Sequence, residues 1–252
     1  MRFGRTLVSF IGLTVMLLSG ELWLMGGRSA HGSRIVFSNL VFDNYEIYVM
    51  DADGGNRENL TNHPVDDWEP DWSPDGTKIA FVSRRSGGYQ ICVMDADGKN
   101  QIELTDGPET KADPDWSPDG GQIAFVSRND EGIEIYVMGI DGQGLERLTH
   151  DLAFKWNPSF SPDGQRIAYW GKDAGFNHIF VMGADGKNRV RLTHNKEDHS
   201  RPTWSPDGGT IAYVVSKDGI PFGRKIHLMT ADGKYIRHLS KMDPCGYSNL
   251  GD

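Results

Sequence analysis

The chain has 252 residues, 38% of them hydrophobic, and a formal net charge of −9. That length allows one large domain or two small ones, and an acidic balance in which Lys and Arg never cluster argues against a nucleic-acid surface. Gly and Pro, 31 and 12 residues, exceed an ordinary share without reaching that of a disordered chain; the excess falls in turns that repeat.

At the N-terminus, Arg2 and Arg5 precede an apolar run over 7–18, then Gly20, a second apolar patch over 22–25, and the small residues Gly26, Gly27, Ser29 and Ala30. A basic start, a short apolar core and a small-residue stretch form the pattern of an export signal, expected over 1–30. An uncleaved membrane anchor and a buried helix are the alternatives, although Glu21 interrupts the span of about twenty apolar residues that an anchor needs. Cys92 and Cys245 stand at unrelated repeat positions, so they do not form a disulfide framework.

From residue 32 onward the chain repeats. Ser-Pro-Asp-Gly begins at Ser73, Ser117, Ser161 and Ser205, each 44 residues after the last. Asp-Gly keeps the same step, with its glycine at Gly54, Gly98, Gly142 and Gly186 and then, after 47 residues, Gly233. Leu-Thr at Leu60, Leu104, Leu148 and Leu192, with Leu239-Ser240 as the last copy, closes each unit. A fixed period of about 40–45 residues is the signature of propeller blades.

Each unit reads as four strands, A to D. Ser-Pro-Asp-Gly suits a type I turn, with Ser to bond the backbone, Pro to preset φ and Gly to leave the turn. The run before it, over 69–73, is strand A. Lys78–Ser83 is strand B, Gln90–Asp95 is strand C ending at a hairpin Asp-Gly, and 101–105 is strand D. The expected fold is all-β, a propeller of four-stranded antiparallel blades over 31–252, with blades at 32–61, 62–105, 106–149, 150–193 and 194–240. Strand A of the first blade would lie in the export signal, so 241–252 is expected to supply it as a closing strand. Five blades result, with an open or truncated six-bladed ring as the alternative.

The residues Trp72-Ser73-Pro74-Asp75-Gly76-Thr77-Lys78-Ile79-Ala80-Phe81, with 91–98 and Leu104-Thr105, resemble the WD-like propeller repeat of the TolB family. The same repeat is similar to the propeller domains of prolyl-oligopeptidase-type enzymes. The TolB resemblance implies a periplasmic compartment and a non-enzymatic role in binding envelope proteins. TolB itself carries an α/β domain ahead of a six-bladed propeller, and here only the export signal precedes the first repeat.

Catalytic and metal chemistry are not expected. A hydrolase needs a Gly-x-Ser-x-Gly elbow with Asp and His after it; Gly246-Tyr247-Ser248-Asn249-Leu250-Gly251 is one residue too long and leaves no room downstream for both. Asp51-Ala52-Asp53-Gly54 and Asp95-Ala96-Asp97-Gly98 miss the calcium-loop spacing, because Gly arrives too early and no bidentate Glu follows. His63, His150, His194 and His199 fall in D-to-A loops at mostly different repeat positions, a poor zinc pattern. No cofactor is expected.

Two aromatic sets remain. Trp72, Trp116, Phe160 and Trp204 share one repeat position and read as packing between blades. Trp68 and Trp156 share another, where the remaining copies hold Ala112 and Ser200, so packing does not demand an aromatic there. A-to-B and C-to-D turns lie at one end of a blade and vary little; B-to-C and D-to-A loops lie at the other and vary freely. The three-residue insertion around 216–223 falls at that variable end. Per-repeat variation on one face is how repeat proteins build a binding surface. The candidate binding residues are Trp68, Glu69, Asp113, Trp156, Arg201 and His199. The expected function is an exported scaffold binding a protein, peptide or other ligand of the cell envelope; the alternatives are a stand-alone relative of a serine peptidase's propeller and a structural envelope protein.

Overall fold

The computed structural model describes residues 7–10, 13–16, 34–130, 132–151, 154–216, 225–234 and 236–238. Among them lie five antiparallel sheets. The second sheet shows the pattern: β6 (Asp67–Trp72), β7 (Lys78–Ser83), β8 (Gln90–Asp95) and β9 (Ile102–Glu103) pair in that order. The third consists of β10 (Thr110–Trp116), β11 (Gln122–Asn129), β12 (Gly132–Gly139) and β13 (Glu146–Arg147). The fourth has β14 (Lys155–Phe160), β15 (Arg166–Asp173), β16 (Phe176–Gly183) and β17 (Val190–Arg191), and the fifth β18 (Asp198–Trp204), β19 (Thr210–Ser216), β20 (Lys225–Thr230) and β21 (Ile236–His238).

The first sheet differs. Its strands B, C and D are β3 (Arg34–Val41), β4 (Asn44–Asp51) and β5 (Glu58–Asn59), and the position beside strand B is taken by β1 (Leu7–Phe10), paired with Ile35–Phe37, with β2 (Leu13–Met16) outside it. The expected closing strand 241–252 lies outside the described residues, as do most of the expected export signal, the insertion from 217 onward, and Cys245. The chain forms two compact units, Met1–Leu152 with the first three sheets and Ala153–Asp252 with the last two.

Strands B and C of the second sheet read as apolar at nearly every position because both faces of that sheet are covered. In the first unit, Trp72, Ile79 and Phe81 of the second sheet pack with Val36, Ile47 and Val49 of the first. On the opposite face, Ala80, Val82, Ile91 and Val93 meet Trp116, Ile123 and Phe125 of the third. In the second unit, Ile179 and Val181 meet Trp204, Ile211 and Tyr213. Across strands B and C one ring pair recurs: Phe125 stacks on Tyr136 and Tyr169 on Phe180, Phe37 meets Tyr48 at a tilt, and Tyr213 meets His227 edge to face. The second sheet replaces the aromatic partner of Phe81 with Cys92, a free thiol that is 3% exposed and that burial pushes up to about 12. It is a small apolar filler with little thiolate character.

The repeated motifs are fasteners. In Ser73-Pro74-Asp75-Gly76, Gly76 N–H donates to Ser73 O at 2.9 Å, Ser73 Oγ–H donates to Asp75 Oδ1 at 2.7 Å, and Lys78 N–H donates to Ser73 Oγ at 2.9 Å. The hydroxyl bond holds the Asp75 carboxyl below its ordinary value, and the same is true of Asp119, Asp163 and Asp207. Leu-Thr ties strand D to strand C. Thr61, Thr105, Thr149 and Thr193 each accept the N–H of an isoleucine on strand C, from Ile47, Ile91, Ile135 and Ile179, at 2.9–3.0 Å. Each Thr oxygen also meets the side chain one residue earlier, donating to Glu46, Gln90 and Glu134 and pairing with His178 Nδ1.

Gly98 and Gly120 both hold positive φ, +81 and +71, but in different surroundings. A Cβ at Gly98 would stand 2.6 Å from the Leu60 carbonyl of the preceding sheet, whereas at Gly120 the nearest atom would be Pro74 Cδ at 3.9 Å. Gly120→Ala is therefore expected to cost about 1 kcal/mol of left-handed strain alone, and Gly98→Ala about 2 kcal/mol or more because the backbone must also move. Thermal melts of the two variants, run side by side, check the order.

Candidate binding surface

All six candidate residues lie on strand A rather than in the loops before it: Trp68 and Glu69 on β6, Asp113 on β10, Trp156 on β14, and His199 and Arg201 on β18. Strand A starts earlier than the turn chemistry suggests and bends partway along. Its pairing with strand B shifts register between Trp68 and Asp71, between Ala112 and Asp115, between Trp156 and Ser159, and between Ser200 and Thr203. Inside each shift stands a non-glycine residue at positive φ followed by proline: Glu69 at +51, Asp113 at +53, Asn157 at +49 and Arg201 at +53. The bulge breaks the ladder, so the missing proline N–H leaves no bond unmade. The left-handed residue costs about 1–3 kcal/mol at each copy.

In the first unit the N–H freed at each bulge is bonded by the preceding sheet. Glu69 N–H donates to Ser38 Oγ at 3.0 Å, and Asp113 N–H donates to Glu69 Oε2 at 2.9 Å. Two residues beyond Glu69, Asp71 Oδ2 accepts from Trp116 N–H at 3.1 Å and Asp71 O accepts from Trp116 Nε1–H at 3.2 Å. In the second unit Trp204 Nε1–H donates to Ser159 O at 3.0 Å. Trp72, Trp116 and Trp204 of the first aromatic set thus pack between sheets, and the Trp116 and Trp204 indoles also tie their sheets to the ones before. Glu69 and Asp113 belong to the same stitching.

Trp68 and Trp156 are half-buried and differently employed. Trp68 lies between Tyr45 and Tyr89, with ring centroids 6.1 and 4.8 Å away. Arg84 sits over Tyr89, its guanidinium carbon 5.6 Å from the ring centre. In the second unit Trp156 stacks on Trp170 at 6.4 Å, and Trp170 Nε1–H donates to Asn157 Oδ1 at 2.7 Å. His199 is 1% exposed and uses Nδ1 on the Asn177 carbonyl at 3.0 Å, so it faces the interior of that unit.

The structure adds residues that lie outside the repeated motifs. Val41 pairs with Asn44 across a two-residue hairpin tip, Phe42-Asp43, in which Phe42 holds φ +56 and is 98% exposed. Neighbouring Leu40 is 45% exposed. A left-handed backbone at such a tip favours Gly or Asn; the fourth sheet fills its own tip with Ala174-Gly175. The first-sheet hairpin is held against the loop leading into the second sheet, since Asn44 Nδ2 donates to His63 O and Tyr45 N–H donates to Asp66 Oδ1 at 2.9 Å. Phe42, Leu40, Tyr45, Trp68, Tyr89 and Arg84 therefore share one end of the first two sheets. An aromatic at a tip that wants glycine was the available signal in the sequence. Among the described residues no group of three or more His, Cys, Asp or Glu is placed to hold a metal ion.

Sheets of this one pattern, fastened by turns and strand-A ties that recur every 44 residues, define a five-bladed β-propeller. The TolB β-propeller domain model matches residues 28–111 and 103–245, and the chain belongs to that family. Over 60 residues it is 37% identical to the Tol-Pal system protein TolB of Albidiferax ferrireducens, an alignment covering 24% of this chain and 14% of that protein. The crystal structure of TolB from Acinetobacter baumannii superposes with a TM-score of 0.70 at 24% identity, covering 78% of this chain and 49% of that one. A putative TolB from Agrobacterium tumefaciens gives 0.75 at 22% identity, covering 93% and 88%. The chain thus matches about a seventh of the length of the curated TolB and about half of the Acinetobacter chain. Enzymes share the fold too, among them a puromycin hydrolase at 17% identity, a likeness that carries fold alone.

Glu69 holds the Asp113 amide through a carboxylate oxygen, which a carboxamide can replace. Glu69→Ala is expected to lower stability by about 1–2 kcal/mol and Glu69→Gln by about 0.5 kcal/mol or less, because only the first leaves a part-buried N–H without its acceptor. Urea unfolding of both variants makes the comparison.

Proposed function

We propose that this chain is an exported, non-enzymatic propeller that binds a protein or peptide of the cell envelope through the variable end of its sheets. The observation that carries the reading is the patch on the first two sheets. Phe42 is held in a strained backbone at a hairpin tip and is 98% exposed, beside the half-buried Tyr45, Trp68 and Tyr89 with Arg84 at the edge. Folding gains nothing from an exposed aromatic at such a position, and strain kept against the interest of stability collects at functional sites. Aromatic anchors with an arginine beside them are the composition of contact hot spots in protein interfaces.

Trp156 and Arg201 extend the same character on the second unit, where Arg201 again sits on a strained bulge. Glu69 and Asp113 hold the backbone beneath the surface, and His199 lies behind it. The name of the Albidiferax relative places that protein in the Tol-Pal system; for this chain a protein partner outside the cytoplasm follows from the family and from the basic-then-apolar N-terminus. Membrane contact is through the N-terminal segment if that segment stays uncleaved. Neither cofactor nor nucleic acid takes part.

The test separates stability from binding. Phe42→Gly is expected to raise stability by about 0.5–1 kcal/mol, since it removes left-handed strain and loses no packing, while weakening crosslinked capture of envelope proteins by about tenfold or more. Trp68→Ala should weaken the same capture, and Lys99→Ala, at the opposite end of the second sheet, should leave it unchanged. Equal capture by the wild type and Phe42→Gly, or loss in Lys99→Ala, overturns the assignment.

A further inference from the structure

The fourth and fifth sheets meet through a column of rings that includes three histidines. His178 on β16 stacks on His199 on β18 at 5.7 Å and 21°. Tyr213 on β19 continues it 5.6 Å from His199, and His227 on β20 stands 5.6 Å beyond. His178, His199 and His227 are 2%, 1% and 7% exposed. At the strand-C position of His178 the earlier sheets have Glu46, Gln90 and Glu134; at the strand-A position of His199 they have Asp67, Lys111 and Lys155.

Hydrogen bonds hold both rings in the seam. Thr193 Oγ1 accepts Ile179 N–H at 3.0 Å and pairs with His178 Nδ1 at 3.3 Å, a contact in which either the hydroxyl or the ring nitrogen can be the donor. The Asn177 carbonyl can only accept, so His199 Nδ1, 3.0 Å away, carries the proton. Burial of both rings disfavours their charged forms, and the same stretch is tied by Asn177 N–H donating to Asp198 Oδ1 at 2.8 Å.

We propose that the seam between the fourth and fifth sheets is a proton-sensitive joint, closed while His178 and His199 are neutral and loosened when they take up protons. Charge on both members of a stacked pair sets like charges 5.7 Å apart with almost no water between them.

The surrounding charges do not cancel this. Around His178 stand Arg191, His199 and His194, which oppose a proton, and Asp173, which favours one but is itself engaged by Arg191 at 2.6 Å. Around His199, Glu197 and Asp198 favour a proton, yet burial outweighs them. Both imidazoles are held below the ordinary 6.5, burial being the largest cause for each. Burial pushes the Tyr213 hydroxyl up to about 12, so it stays neutral throughout.

The sign follows from which state binds more protons. A histidine whose native pKa is depressed stabilises the fold above its unfolded value and loses that contribution as pH falls from about 6.5 toward the native value. The turn aspartates sit below the usual carboxylate range and titrate outside this window. The joint does not depend on whether the variable end binds a partner.

The repeat supplies its own control. Gln90 occupies the His178 position in the second sheet, where its Oε1 accepts the Thr105 hydroxyl at 2.7 Å, so His178→Gln keeps the bond and removes the titration. Hydrogen exchange of the Asn177 and Ile179 amides, corrected for intrinsic chemistry, is compared between about pH 7.5 and about pH 5.5. In the wild type, protection should fall by about tenfold or more, each unit of depression being worth a factor of ten, and in His178→Gln the fall should be clearly smaller. An equal fall in both, or none in the wild type, overturns the proposal. Should the variant not fold, NMR titration of the wild-type imidazoles decides alone: His178 and His199 both below 6.5 with a matching loss of protection supports the joint, and either one at or above 6.5 overturns it.

Discussion

A four-stranded sheet that is apolar on both faces cannot stand in water, and nearly everything that recurs in this chain serves to cover such faces. Strands B and C of the second sheet are buried at almost every residue, from Ile79 to Ser83 and from Gln90 to Met94. The first sheet covers one side through Val36, Ile47 and Val49, and the third covers the other through Trp116, Ile123 and Phe125. Each buried side chain of this size gains about 1.5–3 kcal/mol over its exposed state. That gain is realised only if sheets approach closely. Gly98 under the Leu60 carbonyl, and the Trp116 indole bonded to Asp71 O, mark where they do.

Close approach creates a second demand, because strand A must follow the neighbouring sheet while still pairing with its own strand B. The bulge at Glu69, Asp113, Asn157 and Arg201 answers it by inserting a turn of backbone that proline keeps out of the ladder. In the first unit the strain is offset by the bonds it makes possible, Glu69 N–H to Ser38 Oγ and Asp113 N–H to Glu69 Oε2. A neutral hydrogen bond contributes about 0.5–1.5 kcal/mol net, and one to a carboxylate about 1.5–3 kcal/mol, the same size as the strain. The bulges are thus part of the fastening between sheets, and their side chains are only partly free for other uses.

This balance explains what could be read in the sequence and what could not. The period, the Ser-Pro-Asp-Gly turns, and the limits of β7 and β8 were legible because they rest on local chemistry: φ preference, hydroxyl bonding and alternation of apolar runs. Strand A begins earlier than its turn suggests, at Asp67, Thr110, Lys155 and Asp198, which puts Trp68, Glu69, Asp113, Trp156, Arg201 and His199 on the strand rather than in the loop before it. A residue before proline reads as ordinary extended chain, and its left-handed conformation arises only from contact with the sheet before it. The same limit hid the His178–His199 stack: the two lie 21 residues apart in different repeats, and nothing local marks them as neighbours. Phe42 was legible in principle, since a two-residue hairpin tip wants glycine, but its exposure depends on nothing packing over it.

The way these sheets are fastened also bears on where function resides. Turns at one end are locked by side chains that cannot vary: the Asp75, Asp119, Asp163 and Asp207 carboxylates take the Ser hydroxyls within their own turns. At the other end, first-unit ties use backbone donors, as in Lys111 N–H to Tyr89 O and Asp113 N–H to Glu69 Oε2. Backbone donors are supplied by any residue except proline, so the donor residue's side chain stays out of these ties, while an acceptor such as Glu69 does not. That freedom lets Trp68 stand where the next copy has Ala112, and lets the polar position facing the Leu-Thr fastener be Glu46, Gln90, Glu134 or His178 while still meeting the threonine hydroxyl. One of those four side chains is an imidazole, and it stacks on a second histidine. A repeat whose ties are made by the backbone can therefore acquire a contact patch on one pair of sheets and a titrating seam on another without losing the period that folds it.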